Sequence, residues 1–111
     1  PDIEGPVKAR RKLSYVGIAA VAMALSRRGE ILGEPVVVLE GIPAADRDGD
    51  SMREIVLDAI DGTLRSIPPK RRGDHGMVQE AIQRAVRSAI NEAWGKKPVV
   101  KVLLSVVDGQ R

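Results

Sequence analysis

The sequence predicts an α+β fold in two layers: a three-stranded sheet of order 2-1-3 with two antiparallel helices on one face, in chain order β-β-α-α-β. Three observations predict it. Two apolar runs are joined by a short polar turn, two stretches with helical apolar spacing follow, and the chain closes on an alternating apolar segment. A chain of 111 residues has the size of one domain with one core.

Residues 17–25 (GIAAVAMAL) are apolar throughout, which suits a strand covered on both faces. The turn Ser26-Arg27-Arg28-Gly29-Glu30 leads into residues 31–39 (ILGEPVVVL), completing a hairpin. Pro35 cannot donate a ladder hydrogen bond, so the second strand belongs at a sheet edge and the first nearer the centre. After a loop with alternating acids at Asp46, Asp48 and Asp50, Ser51-Met52-Arg53-Glu54 has capping-box spacing. A helical stripe follows at Met52, Ile55, Val56, Ala59, Ile60, Leu64 and Ile67, and Pro68-Pro69 ends it.

The second helix starts near Asp74 and buries Val78, Ile82, Ala85, Val86, Ala89, Ile90 and Ala93. Gln79, Gln83, Arg84, Arg87 and Asn91 form its opposite face, and Gly95 stops it. Residues 99–107 alternate Val100, Val102, Leu104 and Val106 against Lys101 and Ser105, the pattern of a strand. With the hairpin running up and down and the helices up and down again, this strand rises beside the first and parallel to it.

In the first strand Ala19, Val21, Met23 and Leu25 alternate with Ile18, Ala20, Ala22 and Ala24, so either face is apolar. Helices can cover one face only. The other, or the adjoining edge of the third strand, is expected to be an interface with a second copy of the chain or a neighbouring domain, and on the face the candidates are Ile18, Ala20, Ala22 and Ala24.

Composition excludes several classes. The chain has no cysteine, hence no disulfide, thiolate metal site or cysteine nucleophile. Without cysteine nothing points to an oxidising compartment, so the expected location is the cytoplasm, and with a longest apolar stretch of about half a membrane span no membrane partner is expected. Residues 1–12 have linker composition and read as the tail of a linker, with the domain over 13–111 and the whole as a piece of a longer chain. Net charge is +3, and the cations are clumped at Lys8 to Lys12, Arg27-Arg28, Lys70-Arg71-Arg72 and Lys96-Lys97. With Tyr15 and Trp94 as the only aromatics, any contact with nucleic acid falls on phosphate rather than on stacked bases. Trp94, next to the apolar stripe, is expected in the core.

The segment IPPKRRGDHGMVQEAI, residues 67–82, concentrates the chemical signals. His75 lacks the convergent ligands of a metal centre and the partners of a catalytic triad, and is expected as a solvated loop residue. Gly73-Asp74-His75-Gly76 has the spacing of the KH-domain loop that clamps a nucleic-acid backbone, but Asp74 would meet the phosphate with a negative charge, and it reads more simply as a helix N-cap. The predicted topology brings Arg27 and Arg28 to the same end of the sheet as Lys70, Arg71 and Arg72, so these five cations are the candidate contact for an RNA backbone.

The segments ARRKLSYVGIAAVAMALSRRGEILGEPVVVLEGIP (residues 9–43) and KKPVVKVLLSVVD (96–108) resemble the C-terminal domain of the ribonuclease J family, bacterial metallo-β-lactamase/β-CASP ribonucleases. The shared pattern is an arginine-led segment, a glycine, an apolar strand, a glycine turn, a proline-led strand and a closing basic-Pro-apolar strand. The resemblance implies a parent that is a metal-dependent ribonuclease, a hydrolase in which a dinuclear centre of zinc or other divalent metals activates water against a phosphodiester. The family's ligands lie in an H-x-H-x-D-H signature that no position of this chain matches, so no cofactor and no catalysis are expected within it. The resemblance implies a non-catalytic domain that supports dimerisation or higher assembly and contacts the parent's nuclease domains. Two other readings compete: a stand-alone KH-like RNA-binding module, and an oligomerisation domain without an RNA role.

Overall fold

The computed structural model describes residues 17–108. Within them, β1 (Ile18–Ser26) and β2 (Ile31–Glu40) form the hairpin, α1 (Met52–Ser66) and α2 (His75–Trp94) follow, and β3 (Val99–Val107) closes the domain. The sheet order is β2-β1-β3, with β1 antiparallel to β2 and parallel to β3. Fold class, element order and sheet order are those the sequence predicts. The linker over residues 1–12 and the basic clump Lys8 to Lys12 lie outside the described residues.

Local chemistry sets each boundary. At the hairpin turn Gly29 N–H donates to the Ser26 carbonyl at 2.9 Å, and Glu30 N–H donates to the Ser26 hydroxyl at 3.0 Å. Ser51 Oγ accepts from Glu54 N–H at 3.2 Å to open α1. Ile67, read from the sequence as the last residue of the α1 stripe, is instead its C-cap, with extended backbone before Pro68, yet its side chain still enters the core. A short 3-10 turn at Pro69–Arg71 bridges to α2. Asp74 Oδ1 accepts from Met77 N–H at 3.2 Å, so this aspartate is the N-cap, and Gly95 terminates α2 with a φ of 88°.

Pro35 is accommodated as an edge-strand residue should be. Ala22 pairs with Val36 and Ala24 with Leu32, so Gly33, Glu34 and Pro35 together oppose Met23 alone. The bulge absorbs the residue that cannot donate.

The core lies between the sheet and the helices. Ala19, Val21, Met23 and Leu25 of β1 are at most 5% exposed, and they meet Met52, Val56 and Ile60 of α1 and Val78, Ile82, Val86 and Ile90 of α2. Val37, Val100 and Val102 extend the same face from the flanking strands. No polar or charged residue is buried among the described residues.

Candidate functional site

The second face of the sheet carries no helix. Strand register sets Ala20 beside Val38 and Lys101, Ala22 beside Val36 and Leu103, and Ala24 beside Leu32 and Ser105. Ile18, Ala20, Ala22 and Ala24 therefore form a row down the centre of the open face. The three small alanine side chains make a floor next to the larger Ile18, and large side chains stand along both sides: Val36 is 57% exposed, Val38 48% and Leu103 68%. Sequence reasoning named this row as an interface candidate and missed the walls. The signal was present in the unbroken run Val36-Val37-Val38, since consecutive apolar residues on a strand must populate both faces.

Side chains from the helices occupy three carbonyls along the outer edges of this sheet. Gln79 Nε2 donates to the Val102 carbonyl at 2.8 Å and Gln83 Nε2 to the Val100 carbonyl at 3.1 Å, both on β3. On β2, Arg53 donates to the Val37 carbonyl at 3.0 Å. Gln79 and Gln83, assigned from the sequence only to the outer face of the helix, satisfy strand acceptors that would otherwise invite another strand.

At one end of the sheet the hairpin tip meets the connection between the helices. A Cβ on Gly29 would run into Arg72, and Gly73 lies against the Arg27 carbonyl. Arg27, Arg28, Lys70, Arg71 and Arg72 are thus brought to one region, as the topology requires. They are not equivalent there. Arg72 is partly buried and donates from Nε to the Ile67 carbonyl at 2.9 Å, and Arg27 lies 3.4 Å from Asp108. Arg28, Lys70 and Arg71 have no ion pair among the described residues.

Comparison with known proteins decides what kind of domain carries these surfaces. Residues 5–107 match the family model of the ribonuclease J C-terminal domain. The chain belongs to the ribonuclease J C-terminal domain family. A relative named ribonuclease J, from Sinorhizobium meliloti (strain Sm2011 / Rm2011 / 2011), is 47% identical over 98 residues, which is 88% of this chain and 17% of that protein. The chain therefore spans about a sixth of the ribonuclease J that it matches.

The remaining sequence-derived candidates of this ribonuclease J domain take structural places. His75 is a correction: it is the first residue of α2, partly buried, and its Nε2 is enclosed without a hydrogen-bond partner. The N-cap at Asp74 starts the helix one residue earlier than a loop histidine requires. The same carboxylate stands at the helix start, where a KH-type clamp would need to receive phosphate. Trp94 packs partly buried against the edge of the core, with Lys96 Nζ 5.4 Å from its ring centroid. Asp46, Asp48 and Asp50 bring carboxylate oxygens within 4.8 Å of one another, but Asp46 Oδ1 already accepts from the N–H groups of Asp48 and Asp50. Among the described residues, no helix is long and apolar enough to cross a membrane.

Proposed function

We propose that this chain is the non-catalytic C-terminal domain of a ribonuclease J and that it joins two copies of the enzyme through the open face of its sheet. The observation that carries the reading is the trough of Ile18, Ala20, Ala22 and Ala24 between Val36, Val38 and Leu103, an apolar surface left without a layer. Association through the face is favoured over association through an edge because Gln79, Gln83 and Arg53 already occupy edge carbonyls. Leu103 and Val36, on either side of the row, are suited to interlock with the alanine floor of a partner.

The test is sedimentation velocity on the chain and on the double variant Val36→Glu/Leu103→Glu. The chain is expected to sediment as a dimer at tens of micromolar and the variant as a monomer with unchanged thermal stability. A strictly monomeric wild-type chain at high concentration overturns the proposal.

The parent is proposed to be a metal-dependent ribonuclease of RNA processing and decay, acting in the cytoplasm. Its zinc or other divalent metals would be held outside this chain. One histidine cannot supply the H-x-H-x-D-H ligands, and the exposed carboxylates at Asp46, Asp48 and Asp50 do not resemble that donor set. The hairpin end supports an accompanying role, attraction of the RNA backbone by Arg28, Lys70 and Arg71 with Arg27 and Arg72 around them.

A further inference from the structure

A depression on the outward side of α2, away from the hairpin end, is lined by Arg84, Arg87, Ser88, Asn91 and Lys97 and has a volume of about 300 Å³. We infer that this groove is a phosphate-binding site for the backbone of single-stranded RNA. The inference rests on the chain's belonging to a ribonuclease but not on its dimerisation.

Arg84, Arg87, Ser88 and Asn91 recur at i, i+3, i+4 and i+7, so one face of the helix presents them in a row. Lys97 joins them from beyond the turn at Gly95. The lining holds two guanidinium forks, an ammonium, a hydroxyl and an amide, and no carboxylate. Guanidinium matches phosphate oxygens in a bidentate manner, and the hydroxyl and amide can complete hydrogen bonds to a bound oxyanion.

These cations are free to receive an anion. Arg84 lies 4.0 Å from Glu80, both side chains being largely exposed, a pairing too weak to hold the guanidinium back. Arg87 and Lys97 have no ion pair among the described residues. At the hairpin end Arg72 is bound to a backbone carbonyl, while Arg28, Lys70 and Arg71 are as free of ion pairs as Arg87 and Lys97 among the described residues. A concave lining of one charge sign also focuses the field, whereas the depression at the hairpin end includes Glu30 and Asp108 beside Arg27 and Arg28. Trp94, the nearest aromatic in sequence, packs on the core and has Lys96 over its ring, so the groove grips backbone and leaves bases unread.

The test is fluorescence anisotropy with a labelled oligouridylate and the chain, its variant Arg84→Gln/Arg87→Gln/Lys97→Gln, and the comparison variant Arg28→Ser/Lys70→Ser/Arg71→Ser. Three contacts at a slope of about 0.7 each predict that raising salt from about 50 to about 200 mM weakens wild-type binding roughly 20-fold more than it weakens the groove variant. The charge-preserving variant Arg84→Lys/Arg87→Lys/Lys97→Arg is expected to keep the wild-type slope. Should the triple glutamine variant lose helicity by circular dichroism, the single Arg87→Gln variant and amide shifts of Ser88, Asn91 and Lys97 on titration of the wild type replace it. A groove variant with unchanged affinity and slope overturns the inference, and so does displacement of the RNA by polyglutamate at equal charge concentration. Loss confined to the hairpin variant also overturns it, while leaving the hairpin-end reading standing. No dependence of any of these on the dimer state is expected.

Discussion

Gly29 and Arg72 show how much one residue pair can organise. Gly29 is buried with a φ of 86°, a conformation that costs an L side chain, and its α-carbon faces Arg72 with no room for a Cβ. Arg72 in turn satisfies the Ile67 carbonyl just beyond the end of α1. Gly29→Ala is therefore expected to cost about 2–4 kcal/mol, backbone strain plus overlap. Gly49 has the same φ but open space around it, so Gly49→Ala should cost only about 1 kcal/mol. Urea denaturation of the two variants measures the difference; equal losses would mean that the hairpin tip is not clamped on Arg72. At this scale the sequence was legible for Asp74, whose N-cap role follows from its place before an apolar stripe. It was not legible for Arg72, which looked like one of three equivalent cations until the fold brought the Ile67 carbonyl to it.

At the scale of the element, strands depend on helices for more than a hydrophobic cover. Gln79 and Gln83 sit one turn apart on α2 and reach alternate carbonyls of β3, the spacing at which helical and strand periodicities coincide for two residues. Replacing both with alanine is expected to lower stability by about 1 kcal/mol for each hydrogen bond lost. It should also raise the tendency to aggregate through the freed β3 edge. Chemical denaturation gives the first effect and light scattering after mild heating the second. Stability within experimental error of wild type would show the bonds to be incidental. Nothing in the sequence marks a glutamine as an edge cap, because the partner carbonyls come from a strand about 20 residues further along the chain. Pro35 is the opposite case. A residue without an N–H announces an edge wherever it falls, and the bulge at Gly33 to Pro35 is how the edge receives it.

The whole molecule offers three regions of different character: an apolar trough on the free sheet face, cations gathered at the hairpin end and the groove on α2. Arg28, Lys70 and Arg71 are the appropriate residues for testing RNA attraction there, since replacing Arg72 would confound charge with the loss of its bond to Ile67. Replacing the three by serine should flatten the salt dependence of RNA binding by about 2 in log–log slope, read by anisotropy across a salt series. An unchanged slope would reduce these cations to solubilising charge. The juxtaposition itself was legible, since β-β-α-α-β connectivity with a 2-1-3 sheet must put the hairpin tip and the helix connection at the same end. The α2 groove was not, because Lys97 belongs to a separate clump in sequence and joins Arg84 and Arg87 only when the chain turns at Gly95.

The sequence by itself determined the kinds of element, their order, the edge position of β2 and the N-cap of each helix. Those depend on periodicity and on groups a few residues apart, and both are written along the chain. Which face of β1 turns inward was left open by an alternation of apolar with apolar, and only packing decided it. The face with Val21, Met23 and Leu25 went to the helices because it has more apolar area to remove from water than the face with Ala20, Ala22 and Ala24. The row of alanines was left on the outside, and with it the one surface of the sheet that can still be covered by something else.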